Sequence, residues 1–190
     1  MALTTGRRTP PQLNSSSLQE MALRYVGKYA TTRAKLRAYL SRKLRERGWE
    51  GQGSPDVEAL ADRIAELGYI DDAAYALSKS RSFAGRGYGK RRLADKLRQD
   101  GVADPDAAAA QAHADQEAVT AALRFAERRR VGPFAAVTPD PKLREKWIAA
   151  MVRAGHEFTL ARAIARLAPG SEPDVNELGE HTKATNANLY

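Results

Sequence analysis

Three glycines set the frame for this chain. Gly48, Gly101 and Gly155 each close a Leu-x3-Leu-x3-Gly segment or its bulky equivalent: Leu40/Leu44/Gly48, Leu93/Leu97/Gly101 and Trp147/Met151/Gly155. They stand 53 and 54 residues apart. Apolar residues four apart share one helix face, and a glycine just beyond them readily adopts the left-handed turn that ends a helix. A shorter helix precedes each segment, carrying Leu23/Tyr25, Tyr75/Leu77 or Leu123/Phe125. Another follows each, at roughly 55–67, 105–114 and 159–168. A fixed period of this kind marks a repeat architecture, in which a unit too small to bury its own stripe completes its core against a neighbour. Strand signals, meaning β-branched alternation bounded by turns, are absent. The expected fold is all-α: three tandem three-helix repeats, helix-turn-helix-like, in an elongated, curved array.

Cap residues divide the chain. Ser17-x-x-Glu20 reads as a capping box, and Ser54-Pro55-Asp56, Asp104-Pro105-Asp106 and Asp140-Pro141 each place a cap before a proline at the first helical position. Gly68 joins the other three glycines as a helix end. Residues 1–17 and 170–190 are polar, lack sustained periodicity and are expected to be flexible tails. Between them the repeats are expected at 18–70, 71–114 and 115–169.

Charge separates helix by helix. Residues 24–47 hold nine basic groups and one acid, 50–72 seven acids and one arginine, 79–98 eight bases and one acid, and 99–117 five acids with no base. Residues 128–146 carry six bases and two acids. The middle helix of each repeat, with the loop entering it, is thus the basic element. A helical wheel that turns Leu93 and Leu97 inward sends Arg91 and Arg98 outward, with Arg92 and Lys96 along a second edge. In the first repeat Lys35, Arg42 and Arg45 face outward, and Lys43 matches Lys96. The third keeps Arg144 and Lys146 but has Ala149, Ala150 and Val152 at the other positions. Like charges in adjacent turns cost a few tenths of a kcal/mol each, so a sustained stripe implies an anionic partner. The net charge of +8 and a pI near 9.9 agree. Within Arg86-Gly87-Tyr88-Gly89-Lys90-Arg91-Arg92 the glycines permit close backbone approach, and Tyr88 reads either as a base-stacking ring or as a cap on the core.

The inventory of reactive groups is thin. There is no cysteine, so disulfides, thiolate metal sites and a cysteine nucleophile are excluded. His113, His156 and His181 stand alone, without a ligand partner at helical spacing. Asp71-Asp72 opens a helix and reads as capping rather than as a catalytic or Mg²⁺-binding pair. Phosphate-binding loops of the Walker or dinucleotide type are absent. Trp49 and Trp147 sit at helix ends within apolar patterns, as core or inter-repeat contacts. No catalytic constellation, metal site or cofactor is expected. No run approaches about 18 apolar residues, so no membrane span is expected. Arg7-Arg8 precedes Thr9-Pro10-Pro11-Gln12 rather than an apolar stretch, and the chain reads as cytoplasmic.

Gly68-Tyr69-Ile70-Asp71-Asp72-Ala73-Ala74-Tyr75-Ala76, then Arg81, Arg86-Gly87-Tyr88-Gly89-Lys90-Arg91-Arg92-Leu93 and Leu97-x3-Gly101-Val102, resemble the RecX family of regulatory proteins. The likeness is sharpest over 68–102, and the three-by-three helix plan extends it over about 18–169. Two positions depart from the family's usual pattern. Ala73 stands where an acid is usual, and Asp100 where a base usually precedes the glycine. An insertion, Val131 to Pro139, also separates the first two helices of the third repeat. The resemblance implies a modulator of the bacterial recombinase RecA, active in DNA recombination, DNA repair and the SOS response. Such a protein binds in the groove of the RecA filament on single-stranded DNA. It restrains filament growth, ATP hydrolysis, strand exchange and RecA-stimulated repressor cleavage. Charge placement nominates Arg42, Lys43, Arg45, Arg86, Lys90, Arg91, Arg92, Lys96 and Arg98 as the contact surface. Whether they face RecA or DNA, single- or double-stranded, is open at this level. The polar ends suggest a monomer. The alternative is a basic helical-repeat DNA-binding protein without a RecA role.

Overall fold

A computed structural model describes residues 11–187. They form ten α-helices and one short 3-10 turn, with a lone β-bridge between Leu13 and Trp49 and no strand among the described residues. The helices come in three successive triplets: α1 Ser15–Lys28, α2 Arg33–Arg47 and α3 Val57–Glu66; α4 Asp72–Gly85, α5 Lys90–Gln99 and α6 Asp104–Gln116; α7 Ala118–Arg129, α8 Pro141–Arg153 and α9 Phe158–Arg166. A tenth, α10 Val175–Ala187, follows. No helix among the described residues is long and apolar enough to cross a membrane. Two compact units emerge. One comprises the described residues up to Tyr75 together with Asp100–Val102, the other Ala76–Gln99 and the described residues from Ala103 onward.

The first unit is built on Leu13, Leu18, Ala22, Leu36, Leu40, Ala61, Ile64 and Ile70. Each buried leucine or isoleucine contributes about 1.5–3 kcal/mol of transfer free energy. The start of its chain corrects two expectations. Residues 11–17 are not tail: Leu13 is fully buried, its amide donates to the Gly48 carbonyl at 3.1 Å, and the Glu50 amide donates to the Leu13 carbonyl at 3.0 Å. The capping box also lies three residues earlier than Ser17-x-x-Glu20. Asn14 Oδ1 accepts the Ser17 amide, and Ser17 Oγ accepts the Asn14 amide, both at 2.9 Å. The reason is apolar: capping at Asn14 puts Leu13 and Leu18 on either side of the first turn as a hydrophobic staple. Similarly Asp56, not Ser54, caps α3, accepting the Ala59 amide at 2.9 Å, and Pro55 lies before the helix.

Lys35 does not face outward as the wheel suggested. Its ammonium meets Asp100 Oδ1 at 2.6 Å and the Tyr75 hydroxyl at 2.7 Å. Tyr75 in turn donates to Asp100 Oδ2 at 2.8 Å, and the Thr32 hydroxyl donates to the Asp100 carbonyl at 2.6 Å. Asp100 is thus a buried carboxylate neutralised in place. Burial works against the Lys35 charge, but the hydrogen bonds with Asp100 and Tyr75 outweigh it and hold the ammonium above its ordinary pKa. Nearby, Asp72 is buried and accepts the Arg33 amide at 3.0 Å and its guanidinium Nε at 3.1 Å. Asp71 caps α4 at the Ala74 amide.

The second unit's main core gathers Val119, Phe125, Val131, Met151, Leu160, Ile164 and Leu178, with several alanines. Leu178 lies on α10, so residues 175–181 pack as part of the unit, contrary to the expected C-terminal tail. Of the two expected tails, residues 1–10 and 188–190 lie outside the described residues. Asp140 caps α8 at the Leu143 amide with Pro141 at the first helical position, as expected. By contrast α6 begins at Asp104 with Ala103 at its cap position, so Asp104 and Asp106 act on the helix dipole from the first turn. Gly48, Gly68, Gly101 and Gly155 all take positive φ.

Candidate functional site

The basic α5 is fixed at its N-terminus by a backbone junction within the second unit. The Gly89 amide donates to the Ala154 carbonyl at 2.9 Å, and the Arg91 amide to the Gly155 carbonyl at 3.2 Å. The orphan amides opening α5 are therefore satisfied by the orphan carbonyls closing α8. Only glycine permits this approach: a Cβ on Gly89 would collide with the Gly155 carbonyl, and one on Gly155 with the Arg92 backbone. The glycine-rich loop thus serves contact between two helix ends of the protein itself. Behind it, His156 is buried, with Nε2 3.1 Å from the Gly87 carbonyl. Burial drives its imidazole down to about 4, so it is neutral near pH 7 and donates from Nε2.

This junction decides which charges meet. Leu93 and Leu97 turn inward, leaving Arg91, Arg92 and Arg98 exposed. Tyr88 packs against the core beside Phe83, ring centroids 5.6 Å apart, and the Arg92 guanidinium lies 4.2 Å from the Tyr88 ring centroid. Of the two readings of Tyr88, its position favours the cap on the core. Arg92, Arg128, Arg129 and Arg153 converge with Tyr88, Phe125, Ala150 and Ala154 around a cleft of about 810 Å³. No carboxylate lines it. None of these four arginines forms an ion pair among the described residues. A neighbouring cleft of about 470 Å³ shares Arg92 and Arg153 and adds Arg91, Lys96 and Asp95. Arginine presents a planar fork suited to bidentate contact with phosphate or carboxylate. Gathering several without counter-charge leaves a surface whose repulsion an anionic partner relieves.

The nominated residues divide between the two units. Arg91, Arg92 and Lys96 line the clefts just described. Arg98 is exposed and paired with Asp95, and Arg86 is exposed beyond α4. Lys90 is engaged elsewhere, its ammonium bridging both oxygens of Asp115 at 2.7 and 2.9 Å. Arg42, Lys43 and Arg45 lie on α2 of the first unit. Arg42 and Arg45 are exposed and line a groove there, while Lys43 is turned to Glu46 at 2.6 Å. That hydrogen bond lowers the Glu46 pKa, with Arg42 and Arg45 adding to it. Arg128, Arg129 and Arg153 are functional candidates that sequence reasoning left out. The run Arg128-Arg129-Arg130 was the one signal for the first two, and it named no partner helix; Arg153 had none. No group of three or more His, Asp or Glu is placed to hold a metal ion among the described residues.

Comparison with known proteins gives a consistent result. A family model described as RecX, second three-helix domain, matches residues 71–110. The Regulatory protein RecX of Myxococcus xanthus is 32% identical over 170 residues, covering 84% of this chain and 89% of that one. Its namesake in Agrobacterium fabrum is 34% identical over 148 residues, covering 76% and 79%. Among solved structures, RecX from Lactobacillus salivarius superposes with a TM-score of 0.57 at 19% identity, over 78% of this chain and 92% of that one. A second regulatory protein RecX gives 0.55 at 21% identity, over 80% and 72%. With its helix triplets, its matched second domain and relatives aligned over most of their length, the chain belongs to the RecX family of regulatory proteins.

Proposed function

We propose that this protein modulates the bacterial recombinase RecA by binding the RecA filament on single-stranded DNA. It lodges in the filament groove across neighbouring subunits, blocks nucleotide-linked rearrangement, and so restrains ATP hydrolysis, strand exchange and repressor cleavage. The observation that supports this most is the carboxylate-free cleft of Arg92, Arg128, Arg129 and Arg153 in a RecX-family chain. A filament offers anions in repeating order, as DNA phosphates and as acidic side chains, and several tethered contacts gain affinity without one strong site. The contact surface we assign keeps Arg91, Arg92, Lys96 and Arg98 with Arg86, adds the three arginines of α7 and α8, and includes Arg42, Lys43 and Arg45 of the first unit. Lys90 has a lesser part because Asp115 already neutralises it.

The test is the ATPase rate of the cognate RecA on excess single-stranded DNA, titrated with this protein at physiological salt. Sub-stoichiometric suppression is expected. Arg92→Glu with Arg153→Glu should raise the half-inhibitory concentration at least tenfold while circular dichroism and melting stay unchanged. Unchanged ATPase rates alongside measurable DNA binding would overturn the RecA reading and leave a basic DNA-binding array.

A further inference from the structure

The first unit holds a groove of about 890 Å³ that the arginine cleft does not explain. Its lining combines three tyrosines, Tyr25, Tyr29 and Tyr39, with Arg24, Lys28, Lys35, Arg42 and Arg45, and no carboxylate. The rings are arranged as a surface. Tyr25 and Tyr39 stack with centroids 4.2 Å apart and planes 15° apart, and Tyr29 tilts against Tyr25 at 5.3 Å. Tyr29 is 50% exposed, more than the other two, which are partly buried against the core.

We infer that this groove is a stacking site for the bases of single-stranded nucleic acid. Tyr29 is the platform, the Tyr25–Tyr39 pair is its floor, and Lys28, Arg42 and Arg45 take the flanking phosphates. The inference extends the nucleic-acid part of the proposed function and does not require RecA. Three features carry it. Tyr29 leaves half of its surface in water at the end of α1, and a base laid on such an exposed ring gains about tenfold or more in affinity. The cations are placed for a backbone passing the rings: Lys28 Nζ lies 5.4 Å from the Tyr29 centroid and the Arg42 guanidinium 5.6 Å from that of Tyr39. Finally, their existing pairings are weak or absent. Among the described residues Arg24 pairs only with the exposed Glu20, and Arg42 reaches Glu46 at 3.8 Å, both contacts that water screens heavily. Lys28 and Arg45 form no ion pair among the described residues. Lys35 is the exception, since its ammonium is committed to Asp100.

The same features discriminate among anions. An acidic peptide would use the cations and leave the tyrosine faces idle. A duplex keeps its bases stacked inside and offers only phosphates. A single strand uses both, and because every base has a π-face the site tolerates any sequence.

The experiment measures binding of the full chain to fluorescently labelled oligothymidylate and to an abasic strand with the same number of phosphates, at several salt concentrations. The arginine cleft of the second unit binds both strands through phosphate, so the ratio of the two affinities isolates stacking. The wild-type protein should prefer the base-bearing strand by about tenfold or more. Tyr29→Ala should remove most of that preference and leave the salt slope unchanged, while Tyr29→Phe should keep it. Lys28→Ala with Arg45→Ala should lower the salt slope and keep the preference. Melting curves check that each variant is folded. Equal affinity for the two strands, a preference surviving Tyr29→Ala, or displacement by polyglutamate as effective as by oligothymidylate would each overturn the inference. RecA ATPase suppression without base preference would overturn this inference alone. Base preference without suppression would overturn only the RecA reading.

Discussion

Lys35→Met tests whether the first unit depends on charge neutralisation at Asp100. The Asp100 side chain is 2% exposed. A buried carboxylate left without its cation typically costs about 3–5 kcal/mol. The Lys35 side chain is 33% exposed, so water partly screens the pair, and Tyr75 still donates to the carboxylate. The working figure is therefore about 2–3 kcal/mol, a large share of a domain's usual 5–15 kcal/mol or so. Asp100→Asn alone strands the ammonium instead, which can swing into water, and should cost about 1 kcal/mol. The double variant has no charge to strand, so it should recover about 1.5 kcal/mol relative to the sum of the singles. Each of the protein's two tryptophans, Trp49 and Trp147, packs against the core of one unit. Urea unfolding followed by Trp49 fluorescence in a Trp147→Phe background thus reads the first unit. If the two single effects add to within about 0.5 kcal/mol in the double variant, Lys35 and Asp100 are not coupled and the reasoning fails.

Two further outcomes follow from the second unit. His156 has its pKa depressed from 6.5 to about 4, so the unfolded chain binds the extra proton first as pH falls. Stability should be level above pH 6.5 and decline through the window from 6.5 to 4, losing about 2 kcal/mol by pH 5. Urea midpoints read by Trp147 should show this decline in the wild type and flatten in His156→Gln; a flat wild-type profile would contradict it. Gly89→Ala should destabilise the unit by about 2–4 kcal/mol, from overpacking at the Gly155 carbonyl and two weakened backbone hydrogen bonds. A Trp147-monitored loss below about 0.5 kcal/mol would show that α5 docks without this junction.

Local interactions were legible from the residues alone because they lie within a turn or two of helix. The period of Gly48, Gly101 and Gly155, the apolar pairs before them, and the Asp140-Pro141 cap specified an all-helical repeat chain. Caps were misplaced where a longer-range apolar contact chose the register, as Leu13 did by drawing the start of α1 back to Asn14. The wheel found the exposed arginines of α5 because Leu93 and Leu97 fix its rotation. It misassigned Lys35, since a helix period cannot reveal a buried carboxylate 65 positions away in the chain. Nor does a period reveal that Arg128, Arg129 and Arg153 join Arg92, or that Tyr25 and Tyr39 stack beside an exposed Tyr29. Sequence by itself determined the helices, their repeat and the sign of their charge, which depend on spacings of three and four residues. Tertiary structure alone decided which charges are neutralised and which gather without counter-charge, because that depends on where separate helices bring their side chains together.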